Sequence, residues 1–324
     1  MNILIIGGAG MIGRKLAARL AADGRLGDRD IARLTLVDVI AAQRPDNAEF
    51  SVSIETGDLS QPGVAEQLIT GRPDVIFHLA AIVSGEAELD FDKGYRINLD
   101  GTRFLFEAIR KAGEDYVPRV VFTSSIAVFG APFPQAIGDE FHTTPLTSYG
   151  TQKAMCELLL ADYSRRGLLD GVGIRLPTIC VRPGKPNKAA SGFFSNIIRE
   201  PIAGQEAVLP VDDDVRHWHA SPRSAVNFLV HAATMDSAQL GPRRNLAMPG
   251  LSVTVGEQIA ALRSVVGEPA VKLIRREPDP MIIKMVAGWP QNFDASRALK
   301  LGFVADASFE DIIRAHLEDE TPTG

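Results

Sequence analysis

The sequence has few cysteines, no long apolar run and no excess of positive charge. Its 324 residues include only 2 cysteines, Cys156 and Cys180, and no motif pairs them, so we expect buried thiols in a reducing compartment. No stretch approaches the roughly 20 apolar residues that a membrane-spanning helix needs. The net charge of −6 predicts no general attraction to nucleic acid or to an anionic membrane.

Targeting and metal-binding patterns are also missing. The N-terminal segment MNILIIGGAGMIG has no basic residues before its apolar run, which stops at glycines, so we expect a cytoplasmic protein without a signal peptide. The 6 histidines are scattered. His217 and His219 would point the same way on a strand, but no third ligand lies nearby, so no metal site is predicted.

The chain alternates short apolar runs with helical patterns. The predicted strands are nearly continuous in Val, Ile, Leu and Phe, as is typical of strands buried on both faces: 2–8, 34–39, 51–57, 74–81, 119–125 and 171–178. Helical patterns lie between them, at about 11–23, 62–70, 93–112 and 149–166. This order predicts an α/β fold with a Rossmann-type doubly wound parallel sheet.

The pattern changes after Leu176. The segment VRPGKPNKAASG at 181–192 is rich in Pro, Gly and Lys and indicates a loop. We predict a Rossmann domain over 1–176 and a smaller, mainly substrate-binding α/β lobe over 177–324, some segments of which return to the Rossmann domain.

A glycine-rich turn follows the first strand and precedes the first helix. Gly7 permits a tight turn, Gly10 lets the backbone approach a pyrophosphate, and Gly13 allows the helix to pack closely on the strand. The helix N-terminus, with Met11 and Ile12, offers free amides to phosphates. In this strand–turn–helix context the pattern predicts a dinucleotide site.

Acidic residues after the next two strands refine this prediction. Asp38 ends the second strand, where its carboxylate can accept hydrogen bonds from the adenosine ribose and repel a 2′-phosphate, so NAD is favoured over NADP. Asp58, with Leu59 beside it, follows the third strand and is expected near the adenine amino group; a simple turn aspartate is nearly as good an interpretation.

Taken together, the motifs resemble the extended short-chain dehydrogenase/reductase superfamily over nearly the whole chain. The resemblance is carried by the glycine spacing and by HLAA at 78–81, TSSIAVFG at 123–130, YGTQK at 149–153 and DASRALKLGF at 294–303. It implies that Tyr149 and Lys153 are catalytic and also contact NAD, that Ser125 (less favourably Ser124) assists, and that Ala80 borders NAD. Members often form dimers through the helices at 93–112 and 149–166, so a homodimer is the expectation.

The chemistry of the tyrosine and lysine is understandable without the family. The two side chains lie four residues apart, on the same face of a helix. A free phenol has a pKa near ~10, and an ammonium one turn away is expected to lower it, so Tyr149 would accept the proton of a substrate hydroxyl while Ser125 binds the developing carbonyl oxygen. Asn98 is expected either to anchor a proton-relay water or to pack the helix.

The substrate is indicated by departures from the superfamily's commonest members. Dehydratases usually carry Thr-Asp-Glu where this chain has TSSIAV, and VRHWHASPRSAV at 215–226 replaces an acidic pair typical of nucleotide-sugar enzymes. HLAAIVSGEAELDFD, RLPTICVRPGKPN, IIREPIAGQEAVLPV and PGLSVTVGE are instead similar to the D-erythronate dehydrogenase branch, whose members oxidise a four-carbon sugar acid with NAD.

A small hydroxy acid needs a cation for its carboxylate and polar groups for its hydroxyls. Arg182, after the sixth strand, is the candidate for the carboxylate, although a solvated loop or an ion pair between the lobes is a serious alternative. Ser84 and Thr178 are candidates for the carboxylate or a hydroxyl, and we expect Lys185 to be solvated.

Three functions are therefore considered. The first is oxidation of D-erythronate or a close aldonate, with NAD as cofactor. The second is a nucleotide-sugar 4-epimerase, which would retain its NAD. The third is a dinucleotide-binding redox sensor, against which the intact Tyr149 and Lys153 count.

Overall fold

The structure, a computed structural model, describes residues 1–184 and 191–320. Its strands are, in chain order, β1 (Asn2–Ile6), β2 (Arg25–Leu26), β3 (Arg29–Asp30), β4 (Arg33–Asp38), β5 (Ser51–Thr56), β6 (Val75–His78), β7 (Arg119–Ser125), β8 (Ile137–Gly138), β9 (Asp170–Leu176), β10 (Thr178–Ile179), β11 (Ala207–Leu209), β12 (Arg216–Ala220), β13 (Asn245–Ala247), β14 (Leu251–Thr254), β15 (Ile274–Arg276) and β16 (Phe293–Asp294).

The α-helices are, in the same order, α1 (Met11–Asp23), α2 (Val64–Ile69), α3 (Ser84–Leu89), α4 (Phe91–Gly94), α5 (Gly101–Lys111), α6 (Ser148–Arg165), α7 (Gly192–Ile202), α8 (Pro222–Thr234), α9 (Val255–Val265), α10 (Glu268–Val271), α11 (Pro280–Val286), α12 (Ser296–Lys300) and α13 (Phe309–Glu320). A π-helical turn at Tyr95–Asp100 joins α4 to α5, and 3₁₀ turns lie at Ile126–Val128 and Ser237–Leu240.

The central sheet is parallel throughout. In the described residues it has seven strands in the order β13-β9-β7-β6-β1-β4-β5, and each neighbouring pair runs in the same direction. The chain moves outward from β1 in one direction through β4 and β5, then returns to the other side of β1 with β6. The predicted α/β Rossmann-type fold is confirmed, and ligands are expected at the switch point between β1 and β6.

Two apolar layers cover the two faces of this sheet, because alternate residues of β1 point to opposite sides. Ile3 and Ile5 pack with residues of α1 and α8, whereas Leu4 and Ile6 pack with residues of α2 and α5. The near-continuous apolar strands of the sequence are thus explained by burial on both faces.

The second half of the chain divides its residues between the sheet and a separate lobe. β13 pairs with β9, so this segment returns to the central sheet. Other elements of this half, among them α7, α9 and α13, pack around an apolar cluster of their own, beside a sheet in the order β10-β12-β14. The predicted boundary after residue 176 stays a prediction, but a returning segment is present. Within the described ranges, no helix combines the length and apolar character needed to cross a membrane.

Candidate active site

The glycine turn after β1 is closely packed at two positions. Gly7 has a φ of +95°, and a Cβ there would lie 2.7 Å from the amide nitrogen of Ala80. A Cβ on Gly13 would lie 2.1 Å from the carbonyl oxygen of Gly7. Both positions therefore require glycine, and the turn brings the predicted residue Ala80 against the end of β1.

The turn leads directly into the N-terminus of α1. The N-cap is Gly10, which has no side chain to cap the helix, and the first turn contains no acidic residue. The amides of Met11 and Ile12 in this turn belong to the positive end of the helix dipole. The geometry fits the pyrophosphate of a dinucleotide, whose oxygens would accept hydrogen bonds from the free amides of this helix end.

Asp38 ends β4, and Asp58 follows β5, the neighbouring strand of the sheet. The Asp38 carboxylate accepts hydrogen bonds from the amides of Ala9 at 2.9 Å and Val39 at 2.8 Å, so it lies against the glycine turn where a ribose is expected. Asp58 accepts from Arg96 Nη1 at 2.8 Å and from Ser60. Although burial opposes it, hydrogen bonds from Ser60 and Arg96 lower the pKa of Asp58 to about 2.

Those bonds give Asp58 a structural role in its turn, and a contact with adenine stays a prediction. Leu59, next to it, is buried in the apolar layer around α2 and α5.

Tyr149 and Lys153 lie in the first turns of α6. The helix begins here because the side chain of Thr147 accepts a hydrogen bond from the amide of Gly150 at 3.1 Å. Lys153 is buried, and its Nζ donates to the carbonyl oxygen of Thr123 at 2.8 Å and lies 5.8 Å from the centroid of the Tyr149 ring. The predicted common face of the pair is present.

The pKa of Tyr149 differs from the expectation. Burial raises it to about 12, opposed by hydrogen bonding to Ser125 and by the positive charge of Arg182. The predicted lowering by Lys153 is wrong for this arrangement, because the ammonium is directed to the Thr123 carbonyl and burial lowers its own pKa to about 8. At neutral pH Tyr149 is a protonated phenol that must lose its proton before it can act as a base.

The two serines at the end of β7 have different partners. Ser124 Oγ donates to the carboxylate of Glu157 at 2.6 Å, and that carboxylate is buried in an ion pair with Arg175. Ser125 Oγ accepts from the amide of Ala127 at 3.1 Å and is the hydroxyl that acts on Tyr149. The structure therefore brings Ser125 to Tyr149 and holds Ser124 in a buried polar network.

Asn98 lies in the π-helical turn before α5 and holds the segment that follows β6. Its Oδ1 accepts from the amide of Ile82 at 2.9 Å, and its Nδ2 donates to Gln152 Oε1 at 2.7 Å and to the Ile82 carbonyl at 3.2 Å. These bonds support the packing interpretation of Asn98, and a relay water stays a prediction.

Ser84 begins α3, two residues after the segment that Asn98 holds. Helix α3 packs against α6, and the Glu88 carboxylate accepts from the amide of Ser148 at 3.0 Å. Ser84 therefore begins a helix that is attached to the start of α6, and its contact with a substrate stays a prediction.

Arg182 is held rigidly in the loop after β10. Its Nε donates to the Ile179 carbonyl at 3.0 Å, its Nη2 to Ser191 Oγ at 3.1 Å, and its backbone amide to Ser195 Oγ at 3.1 Å. Burial lowers its pKa, while the Tyr149 phenolate would raise it, so the two side chains lie within electrostatic reach. A guanidinium beside the phenol is suited to binding a carboxylate.

Thr178 is partly exposed and hydrogen-bonded to a buried histidine. Its Oγ1 lies 2.7 Å from His217 Nε2. His217 and His219 are both buried, with ring centroids 5.3 Å apart, so the predicted common direction is present. No group of three or more His, Cys, Asp or Glu in the described parts of the chain is arranged to hold a metal ion.

Two polar residues near the site, Gln152 and Glu157, were not predicted from the sequence. The hydrogen bond between His217 and Thr178 was not predicted either. Gln152 and Glu157 follow Tyr149 on the buried side of α6. Their helical spacing from Tyr149 is the feature of the sequence that could have identified them. Cys156 and Cys180 are free and buried, as predicted. Lys185 lies outside the described residues.

The fold and site can be compared with known proteins. The family model described as the NAD dependent epimerase/dehydratase family matches residues 3–242. D-erythronate dehydrogenase from Cupriavidus necator is 49% identical over 98% of both chains, and D-erythronate dehydrogenase from Haemophilus influenzae is 44% identical over 98% of this chain and 99% of that protein.

A solved structure is also very similar. The crystal structure of the nucleoside-diphosphate-sugar epimerase from Agrobacterium tumefaciens superposes with a TM-score of 0.97 at 69% identity, covering 99% of this chain and 94% of that one. All three proteins extend over nearly the full length of this chain. The match to the family model, together with a glycine turn and helix end that fit a pyrophosphate, leads to one conclusion: the chain belongs to the NAD dependent epimerase/dehydratase family, an extended short-chain dehydrogenase/reductase family, and NAD is its cofactor.

Proposed function

We propose that this protein is an NAD-dependent dehydrogenase that oxidises D-erythronate, or a closely related small aldonate, to the 2-keto acid. The observation that carries the proposal is that Ser125 is hydrogen-bonded to Tyr149 and that the charge of Arg182 acts on the pKa of the same phenol; together they offer a hydroxyl, a group for proton transfer and a cation for a carboxylate. Two relatives of nearly equal length with the name D-erythronate dehydrogenase support the choice of substrate.

NAD, when bound at the glycine turn, supplies the acceptor for the hydride that leaves the hydroxyl-bearing carbon. The glycine turn and the N-terminus of α1 would hold its pyrophosphate, and Asp38 its adenosine ribose. Ser125 would hydrogen-bond the substrate oxygen, and Arg182 would bind the carboxylate.

Transfer of the substrate hydroxyl proton depends on the protonation state of the Tyr149 phenol. Tyr149 in its ionised form takes the proton from the substrate hydroxyl as the carbon–oxygen double bond forms. Because burial raises the pKa of Tyr149 to about 12, oxidation is expected to become faster as the pH rises above neutral. In the opposite direction the protonated phenol donates a proton to the oxygen of the keto acid.

The test is a purified-enzyme assay with NAD and a panel of four-carbon hydroxy acids, followed by NADH absorbance. Wild type should form NADH with D-erythronate, and Tyr149→Phe should be slower by about 10²-fold or more while it still binds NAD. Tyr163→Phe is the matched control, since Tyr163 lies on the same helix but its hydroxyl contacts Glu107. No NADH with any acid in the panel would refute the proposal.

A nucleotide-sugar 4-epimerase is the second candidate, and one observation favours it: the very similar solved structure bears the name nucleoside-diphosphate-sugar epimerase. An epimerase would interconvert UDP-hexoses without net NADH. Product analysis after incubation with UDP-glucose and UDP-galactose distinguishes the two activities.

The cytoplasmic location and the homodimer belong to this proposal as well. Cell fractionation tests the first, and sedimentation of the purified protein tests the second. We propose small sugar acids as the binding partners of this protein, and we propose no binding to nucleic acid or to membranes.

A further inference from the structure

The segment that follows β6 is held at two successive points. The amide nitrogens of Leu79 and Ala80 both donate to the carbonyl oxygen of Ile6, at 2.8 and 3.0 Å. Two residues further on, the amide and the carbonyl of Ile82 both bond the side chain of Asn98, at 2.9 and 3.2 Å. The segment is therefore fixed by β1 as far as Ala80, and by Asn98 beyond that residue.

The backbone determines the orientation of the Asn98 amide. The N–H of Ile82 can only donate and its carbonyl can only accept, so Oδ1 of Asn98 faces the N–H and Nδ2 faces the carbonyl. The atom of Gln152 that lies 2.7 Å from Nδ2 must then be an acceptor, Oε1. Each hydrogen-bond direction from Ile82 to Gln152 therefore follows from the fixed polarity of a backbone group.

Gln152 is enclosed beside Asn98 in a space that small residues leave. The two side chains belong to residues that are 0% and 2% exposed, respectively. Nε2 of Gln152 has no hydrogen-bond partner among the described residues, so the bond to Asn98 is what orients this amide. At Gly94, the end of α4, a Cβ would lie 2.6 Å from that Nε2 and 3.3 Å from the Cβ of Ala87.

This chain of contacts joins two parts of the site. Gln152 lies on α6 between Tyr149 and Lys153. Ile82 stands two residues before Ser84, the partly exposed first residue of α3. Because a single residue separates the two, a change in the orientation of the Ile82 peptide moves the Ser84 hydroxyl.

We propose that Gln152 is a positioning residue that holds Asn98 and, through it, the Ile82 peptide. The orientation of this peptide sets the place of the Ser84 hydroxyl, which binds an oxygen atom of the small acid. NAD binding does not depend on the contact, because β1 holds Ala80 independently. This inference rests on the proposed oxidation of a small aldonate.

The test is steady-state kinetics of Gln152→Met, which keeps the length of the side chain and removes its acceptor. KM for D-erythronate should rise by roughly fivefold, the equivalent of one neutral hydrogen bond of about 1 kcal/mol, while kcat and KM for NAD change little. We expect kcat to persist because Lys153 has its own bond to the Thr123 carbonyl, at 2.8 Å. General damage to the fold would instead lower kcat with the folded fraction and leave both KM values unchanged.

Two further variants separate the contact from the residue. Gln152→Glu keeps an oxygen that accepts from Asn98 whether the carboxyl group is ionised or protonated, so its KM for D-erythronate should stay close to that of wild type. Gly94→Ala displaces the amide of an unchanged Gln152, because its Cβ would lie 2.6 Å from Nε2, and should raise KM as Gln152→Met does. Gly101→Ala is the matched control, since its Cβ would lie 3.5 Å from the nearest atom outside its own helix.

Two measurements locate the effect at Ser84. Ser84→Ala should also raise KM for D-erythronate, and Gln152→Met should raise it no further in that background, because both changes act on the same contact. Hydrogen–deuterium exchange of the amides of residues 82–89 should be faster in Gln152→Met than in wild type or in Gly101→Ala, since the segment is held less firmly.

The outcomes distinguish this inference from the proposed function. If wild type forms no NADH with any acid, the proposed function fails, and the role of Gln152 in binding the acid fails with it. If wild type is active but Gln152→Met keeps the wild-type KM, or if Gly94→Ala behaves as Gly101→Ala does, the positioning role is refuted while the dehydrogenase remains. Unchanged exchange at residues 82–89, or KM effects that add fully in the Ser84→Ala background, would refute it as well.

Discussion

The ion pair between Glu157 and Arg175 links α6 to the central sheet, and breaking it tests how much the stability of the fold depends on that link. The Glu157 carboxylate accepts from Arg175 Nε at 2.9 Å and Nη2 at 2.8 Å, and from Ser124 Oγ at 2.6 Å. The side chains are 7% and 4% exposed for Arg175 and Glu157. Glu157 follows Lys153 by one helical turn, and Ser124 precedes Ser125.

The change Glu157→Gln keeps the size of the side chain and removes its charge. Arg175 is left buried with Asp139 as its nearest carboxylate, at 3.8 Å. Removing one partner of a buried pair costs roughly 3–5 kcal/mol. Because Asp139 still compensates part of the charge, we expect a loss near the lower end, about 3 kcal/mol in the free energy of unfolding.

The measurement is urea unfolding of wild type and variant, with the slope of the transition unchanged and its midpoint lowered. Asp23→Asn is the control, because it removes an ion pair with Arg19 in which the side chains are 44% and 35% exposed, worth at most about 1 kcal/mol. A Glu157→Leu and Arg175→Met double variant should be more stable than Glu157→Gln, since the buried guanidinium is removed together with its carboxylate and Asp139 keeps Arg297 at 3.8 Å. A loss no larger than that of the control would refute the reasoning.

Three other changes test the cofactor turn and the buried lysine. Gly13→Ala should abolish NAD binding in calorimetry, because its Cβ would lie 2.1 Å from a backbone oxygen. Asp38→Ser should reduce the preference for NAD over NADP in kcat/KM by about tenfold, since a repulsive charge and a hydrogen-bond acceptor are lost. Burial lowers the pKa of Lys153 from 10.5 to about 8, so the folded state binds fewer protons than the unfolded state between these values. As the pH rises through that interval, the free energy of unfolding of wild type, measured with urea, should therefore increase by about 3 kcal/mol relative to that of Lys153→Met.

Each of these has its own control. Gly71→Ala meets open space, so it should bind NAD normally; equal binding by Gly13→Ala would show that the turn tolerates a side chain. An unchanged cofactor ratio in Asp38→Ser would remove Asp38 from the ribose site. A constant difference between wild type and Lys153→Met across the pH range would mean that Lys153 keeps its ordinary pKa.

The elements of the fold were predictable because their signals are local. The apolar runs from Asn2 to Leu176 and the glycine turn at residue 7 each depend on neighbours within a few positions, so the parallel sheet and the dinucleotide turn could be derived from the chain alone. The cap of α6 is equally local, and it places Tyr149 and Lys153 on one face.

The electrostatics of the site were not predictable in this way. The pKa of Tyr149 depends on burial and on Arg182, which is remote in sequence, and the proximity of Lys153 alone led to the wrong direction. The different roles of Ser124 and Ser125 likewise depend on Glu157, a residue of another element.

The sequence by itself determined the α/β architecture, the cofactor turn and the common helix face of Tyr149 and Lys153, because periodicity, glycine spacing and helical spacing act over one or two turns of chain. Only the tertiary structure decided which groups surround the phenol. Arg182, Thr178 and His217 are remote from Tyr149 in the sequence, and long-range burial and packing, which no short pattern encodes, set their contacts and their pKa values.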